Sequence, residues 1–315
     1  MRNCMSETGA IDLCVCIPAR NEGARLPTLL DALAAQTWPT PITVAIAVNN
    51  TDDDSLEVIE AARVRHAGRL VLHVENATFA PDKAHAGSAR RLAMETGLAL
   101  LADADRGVLV STDADTRPPP EWLAAISRAL ARGADVVGGR IEIEESEALP
   151  DTVLRLRATW DRYWHDVRAI EDALDPVPWD PAPRHGDHTG ASLAIRAGLY
   201  RACGGVPLLP TGEDRAMVNA ALAAGGRLAH PIDVFTCVSP RRDGRAQGGM
   251  ALAMAEMFAL AATGADPLAP AFDHWRERAA WRRSLRGRAD GHLVIAREEP
   301  LLAPMPHDMI LEVGS

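Results

Sequence analysis

Residues 13–17, Leu-Cys-Val-Cys-Ile, form an unbroken apolar run closed by Pro18, the pattern of a strand buried on both faces. A polar loop follows. Then Leu26, Leu29, Leu30 and Leu33 recur at helical spacing, with Pro27 in a first turn where a missing N–H costs nothing. The same alternation repeats down the chain. Strands are predicted over 43–48, 70–74 and 108–112, and helices from 55 to about 66, over 88–101 and over 122–132, with Gly68 as a stop. Residues 135–139 and 140–144 read as two further strands. Strands alternating with helices imply parallel pairing through right-handed crossovers, and hence a doubly wound α/β sheet.

The texture changes after residue 145. Residues 149–174 read as one long helix carrying Trp160, Tyr163 and Trp164. Residues 175–183 hold four prolines, so they are neither helix nor central strand, and their length suits a lid or binding loop. Regular structure resumes over 188–195, followed by a turn at Gly204-Gly205, a helix over 213–224 and a strand over 233–238. The tail after Met250 is predicted helical, with a basic segment over 276–288.

Composition narrows the class. With 315 residues, 47% hydrophobic and 24% charged, the chain is long enough for one large globular α/β domain. A net charge of −10 argues against a general nucleic-acid binder, yet leaves room for a small anionic ligand held by local donors and a metal. The five cysteines show no paired metal spacing, and Cys14 and Cys16 lie inside an apolar strand. Residues 1–12 lack the basic and apolar regions of a signal peptide, and no apolar run reaches the length of a membrane span. A cytoplasmic protein is the expectation.

Candidate chemistry gathers at Thr112-Asp113-Ala114-Asp115-Thr116, where two acids spaced by two end a buried strand and Pro118 to Pro120 stop it. Both carboxylates would point to one side, at the edge where α/β sheets bind ligands. Hard oxygen ligands in that place suit Mg²⁺ or Mn²⁺. The competing reading is a solvated turn in which either acid caps the helix that begins near Glu121. Glu213 and Asp214 are similarly open, because Thr211-x-x-Asp214 resembles a capping box. Asp52, Asp53 and Asp54 read as helix caps.

Taken in order, the motifs resemble the family 2 glycosyltransferases with a GT-A fold. The resemblance rests on Pro18-Ala19-Arg20-Asn21-Glu22, on Val48 to Ser55, on Gly87-Ser88-Ala89-Arg90 and on Thr112-Asp113-Ala114-Asp115. It continues through Thr189-Gly190-Ala191-Ser192 and Gly212-Glu213-Asp214. It implies a GT-A-type, mostly parallel sheet with an acceptor-side subregion and a C-terminal helical tail. The corresponding division is a nucleotide-sugar-binding half over 1–140, an acceptor and catalytic-base half over 141–249, and the tail over 250–315.

The resemblance implies transfer of a sugar, a hexose by preference, from a nucleoside-diphosphate donor to a hydroxyl acceptor, with inversion. Asp115 is then the firmer ligand of Mn²⁺ or Mg²⁺, and Asp113 serves the metal or the ribose. Asp214, with Glu213 beside it, occupies the catalytic-base position. Pro18, Arg20, Glu22, Asn50, Lys83 and Arg90 become donor-site candidates, and Arg241, Arg242 and Arg245 candidates to clamp the diphosphate. Asn49 or Asn50 stands where many relatives carry an Asp toward the base. His230 is a possible third metal ligand, or simply a histidine at a strand edge. Membrane contact through the basic tail is the lesser reading. The alternatives are a nucleotidyltransferase, for which Pro18 to Gly23 is a poor phosphate loop, and a non-catalytic nucleotide-sugar-binding protein.

Overall fold

The computed structural model describes residues 11–143, 149–238 and 250–314. The first half alternates as the apolar pattern predicts. It runs β1 (Leu13–Ala19), α1 (Leu26–Ala34), β2 (Ile42–Asn49), α2 (Ser55–Arg65), β3 (Leu70–Ala77), a 3-10 turn at Pro81–Lys83, and α3 (Ala86–Leu100). There follow β4 (Val108–Ser111), β5 (Thr116–Arg117), α4 (Trp122–Ala131), β6 (Val136–Gly138) and β7 (Arg140–Ile143). The rest comprises α5 (Asp151–Leu174), β8 (Leu193–Arg196), α6 (Ala197–Ala202), α7 (Glu213–Ala223), β9 (Leu228–Ala229) and β10 (Phe235–Val238). Last come α8 (Met250–Thr263), β11 (Leu268–Ala269), α9 (Phe272–Arg286), α10 (Gly291–Glu298) and β12 (Met309–Ile310).

Seven strands make the central sheet in the order β3-β2-β1-β4-β8-β6-β9. β3, β2, β1 and β4 are mutually parallel, as are β6 and β9. β8 departs from the purely parallel pattern, pairing antiparallel with both β4 and β6. The reason is its direction of entry. The chain comes back from α5 at the carboxyl-terminal edge of β4, so β8 must run away from that edge and leaves the loop of residues 189–192 beside Asp113. A second sheet, β5-β10-β7, lies past the same edge.

Alternation along the strands splits the core by residue size. Val15, Ile17, Val44, Ile46 and Val48 face one side with the leucines of α1 and Trp122 of α4. Cys14, Cys16, Ala45 and Ala47 face the other, with Ala93 and Met94 of α3. Small residues there let α3 lie close, and a Cβ on Gly97 would stand 2.6 Å from the Cys16 sulfur. Burial pushes the Cys16 thiol pKa up. β1 also runs through Pro18 rather than stopping at it. Pro18 pairs with Ala47 of β2, and the pairing of β1 with β4 stops before it, at Cys16 opposite Ser111.

The tail folds back onto α5. Tyr163 stacks on Phe272 at 5.5 Å, accepts a hydrogen bond from Trp275 Nε1 at 2.7 Å and donates to the Pro270 carbonyl at 2.8 Å. The β11–β12 pair is too short to leave an apolar signature and closes this layer. Beneath the aromatic cluster the Glu171 carboxylate, buried, takes hydrogen bonds from Arg168 at 2.6 Å, Arg184 at 3.1 Å and Arg282 at 2.7 Å. Arg184 also binds Asp172, Arg282 also binds Glu299, and Arg286 forks onto Asp175. No described helix is long and apolar enough to cross a membrane.

Candidate active site

The carboxyl-terminal edge of β1, β2 and β4 carries three loops, and side-chain hydrogen bonds lace the first two together. Asn21, in the left-handed region at φ 53°, donates from its amide to Asp52 at 2.6 Å and accepts the Asp52 N–H at 2.9 Å. Glu22 N–H donates to the Ser55 hydroxyl at 3.0 Å, and its carboxylate lies 3.6 Å from Arg25. Asp53 accepts from Gly23 N–H and from Ser55. Asp52 and Asp53 are therefore loop ties rather than helix caps. Asp54 sits at the N-cap of α2 and makes no side-chain cap bond.

Arg20 extends to the Ala84 carbonyl at 3.2 Å and so reaches the turn that carries the exposed Lys83. Asn50 is tied to the loop that follows β3. Its amide donates to the Phe79 carbonyl and accepts the Phe79 N–H, both at 3.0 Å. Its left-handed φ of 46° turns the side chain onto that loop. The neighbouring Asn49 is buried, and its Nδ2 has no partner among the described residues.

At the end of β4 the hub is Arg90. Its guanidinium is buried and donates to Glu213 Oε1 at 3.0 Å, Ser111 Oγ at 2.7 Å, the Gly190 carbonyl at 2.9 Å and Asp113 Oδ1 at 2.9 Å. Four donors of a rigid five-donor fork are occupied, so Arg90 ties protein loops together and does not contact base or phosphate. Burial opposes its charge, but Asp113, Glu213 and Asp214 hold it firmly protonated. Gly190 fits here because it lacks a Cβ, which would stand 2.3 Å from the Arg90 guanidinium.

Asp214 belongs to the same hub. α7 starts from Gly212 at φ 72° with no side-chain cap, so the capping box from Thr211 does not form. Asp214 Oδ2 instead accepts the Gly190 N–H at 2.7 Å, and Oδ1 accepts the Arg215 N–H at 2.7 Å. Glu213 points the other way, buried at 5% exposure on Arg90, and is a fixed ion-pair partner rather than a group open to substrate. Neither Asp113 nor Asp115 caps α4, whose N-cap residue Glu121 makes no side-chain cap bond. Burial raises the Asp113 pKa, and Asp115 and Glu213 add to this against the pull of Arg90.

This arrangement fits a divalent cation held jointly with a ligand. Asp113 and Asp115 present hard carboxylate oxygens, and their mutual repulsion is relieved by positive charge. Among the described residues no group of three or more His, Cys, Asp and Glu side chains is placed to hold a metal. Two carboxylates from the protein, completed by diphosphate oxygens and water, is the usual way Mg²⁺ is held.

His230 is held by Asp180 and His188. Its Nδ1 is 3.1 Å from Asp180 Oδ2, its backbone N–H donates to Asp180 Oδ1 at 2.7 Å, and its Nε2 is 3.3 Å from His188 Nδ1. Arg241, Arg242 and Arg245 lie outside the described residues. Sequence reasoning missed the joint role of Ser111, Gly190 and Asp180. The Thr-Gly-Ala-Ser motif pointed at Gly190 without revealing what needed the glycine.

The sequence model of the family described as Glycosyl transferase family 2 matches residues 14–175, just over half of the chain. No curated protein matches by sequence. In three dimensions the chain resembles the mannosyltransferase PcManGT of Pyrobaculum calidifontis, solved with GDP-Man and Mn²⁺. The TM-score is 0.53 at 17% identity, over 93% of this chain and 81% of that one. It also resembles residues 1–349 of S. aureus TarS, with a TM-score of 0.50 at 15% identity, over 92% of this chain and 77% of that one. Both likenesses show the GT-A architecture.

Proposed function

The chain belongs to glycosyltransferase family 2, and from that membership we propose a metal-dependent, inverting glycosyltransferase that moves a hexosyl group from a nucleoside diphosphate to a hydroxyl. The observation that carries this reading is the Arg90 hub, which fixes the Asp113 loop and the Asp214 loop against one another at the ligand edge of the sheet. Asp115 and Asp113 would hold Mn²⁺ or Mg²⁺, whose charge offsets that of the departing diphosphate. The Mn²⁺ and GDP-Man of the Pyrobaculum mannosyltransferase support testing that pair first.

Asp214 accepts the proton of the attacking hydroxyl in this reading. Its two backbone N–H bonds hold the carboxylate in one orientation, so the base is aimed before the acceptor arrives. Glu213 and Arg90 position it from behind. Asn49 Nδ2 is the amide donor left for the nucleotide base, while Arg20, Lys83 and the main chain at Pro18 and Glu22 border the nucleotide.

The test is donor turnover across a panel including GDP-mannose, UDP-glucose and UDP-N-acetylglucosamine with Mn²⁺ or Mg²⁺. Asp115→Ala is expected to remove the metal requirement together with at least about 100-fold of the rate. Asp214→Asn should lower kcat by about 100-fold or more with donor affinity retained. Undiminished metal-dependent turnover in Asp115→Ala overturns the metal assignment, and pyrophosphate release from a nucleoside triphosphate would favour a nucleotidyltransferase.

A further inference from the structure

Residues 175–192 lead from the end of α5 to the Arg90 hub with no helix or strand of their own, apart from a single bridge between Arg184 and Pro231. The first nine read Asp-Pro-Val-Pro-Trp-Asp-Pro-Ala-Pro, so four are prolines and four more precede a proline. Proline fixes its own φ, and the residue before it is confined to extended backbone. Trp179 is the one residue of the nine under neither restraint. The stretch is thus a stiff strap with a single free joint, and a shift at one end is carried along it instead of being absorbed.

Arg286 of α9 grips the strap at its start and at that joint. Its Nε lies 3.0 Å from Oδ1 of the buried Asp175 and its Nη2 2.8 Å from Oδ2, and the same guanidinium lies over the half-buried Trp179 ring, 5.8 Å from the centroid. Arg282 stands 3.4 Å from the Asp175 carboxylate. Further along, Asp180 accepts the His230 backbone N–H at 2.7 Å, and the His185 N–H donates to the His230 carbonyl at 3.0 Å. The strap then passes over Gly138, where a Cβ would stand 2.4 Å from the Asp187 carbonyl oxygen. It ends in the Arg90 hub. The Gly190 carbonyl accepts from Arg90 and from Ser111, both at 2.9 Å, and the Gly190 N–H donates to Asp214 Oδ2 at 2.7 Å.

We propose that Arg286 is a positioning residue for Asp214: the tail helix α9 sets the strap at Asp175 and Trp179, the strap sets Gly190, and the Gly190 N–H aims the carboxylate. The role of Asp214 as base rests on the glycosyltransferase reading, whereas the brace from α9 to Gly190 does not. If Gly190 shifts, Arg90 keeps Asp113, Glu213 and Ser111. Loosening the brace therefore costs the transfer step and spares metal and nucleotide binding.

Amide hydrogen exchange of the full chain tests the brace without turnover. Arg286→Met leaves Asp175 with Arg282 as its counter-charge, so the fold is kept. In that variant the Gly190 amide should exchange at least about tenfold faster, while the amides of β1 and β2 keep their rates. Trp179→Ala, which frees the joint and removes no charge, should do the same. The double variant should add little to the larger single effect, because both substitutions break one contact. Unchanged exchange at Gly190 in either single variant, or an equal acceleration across the amides of β1 and β2, overturns the proposal. The kinetic counterpart uses GDP-mannose or UDP-glucose with Mn²⁺ and methyl hexosides as acceptors. Arg286→Met should lower kcat by about tenfold with nucleotide affinity, read by calorimetry, unchanged. Arg286→Lys, which keeps a charge on Asp175, should recover part of the loss. An unchanged kcat, or nucleotide affinity lost in step with it, overturns the positioning role. A wild type that transfers to no hydroxyl counts against the glycosyltransferase reading and leaves the exchange result to decide the brace.

Discussion

Two buried networks of arginine and carboxylate hold this molecule together, and they are built in opposite senses. At Arg90 a single cation is surrounded by acids, touching Asp113 and Glu213 with Asp214 close by, and Asp115 pressing on Asp113. At Glu171 a single acid is surrounded by three arginines, and those arginines are shared outward with Asp172, Asp180, Asp175 and Glu299, where Arg286 on Asp175 and Arg278 near Glu299 bring the cations level with the carboxylates. The balanced network joins α5 to the tail and lacks nothing. The Arg90 network carries surplus negative charge at the ligand edge of a sheet, which is a standing attraction for a cation. Whether a buried network is complete in itself separates scaffold from site more clearly than how many ion pairs it contains.

The sharpest way to break the comparison is to remove each centre. Arg90→Met leaves Glu213 buried without a counter-charge and should cost about 3–5 kcal/mol, read as a lower urea midpoint. Glu171→Leu should cost less, about 2–3 kcal/mol, because Arg184 and Arg282 keep other acids and only Arg168 is left without one. It should leave Mn²⁺-dependent nucleotide binding by calorimetry unchanged, whereas Arg90→Met should abolish it. Gly190→Ala is subtler. The added methyl meets a buried guanidinium rather than the flexible end of a surface chain, so about 1–3 kcal/mol of stability should go, with turnover falling further than stability.

The smallest expected effect is also the most diagnostic, since the two networks should respond to acid with opposite signs. The Glu171 pKa is lowered by its three arginines, against burial, so its contribution to stability is present above pH 4.5 and is lost as pH falls through the depressed value. The Asp113 pKa is raised, so its contribution is present below pH 3.8 and is lost as pH rises through the raised value. Unfolding free energies measured from pH 3 to 7 should therefore lose one slope in Glu171→Gln and the opposite slope in Asp113→Asn. Mn²⁺ should reverse only the Asp113 slope, because a cation favours the ionised carboxylate.

The central sheet was legible because each of its early strands buries its own apolar run. Residues 13–17 and 108–112 announce themselves without reference to anything distant. The direction of β8 was not legible, since Leu193–Arg196 has the same composition whichever way it enters. The acids of the site were visible as motifs, but their division of labour was not. Glu213 and Asp214 are adjacent in sequence, and only the burial of Arg90, more than a hundred positions away, assigns one to an ion pair and leaves the other on the Gly190 N–H. The pairing of Asn50 with Phe79 was hidden for a similar reason, because Phe79 sits in a loop with no motif of its own.

The small residues on the α3 face of the sheet give the protein a built-in clock. Cys14 and Cys16 are fully enclosed between β1 and Gly97, whereas Cys203 is half-buried at the end of α6. An alkylating reagent attacks the thiolate, so it reaches the part-exposed Cys203 and Cys237 in the native protein but must wait for the middle of the sheet to part before it reaches Cys14 and Cys16. The lag between the two labels times the opening of the strand whose end carries the Pro18 loop. Any ligand that binds across that edge will lengthen it.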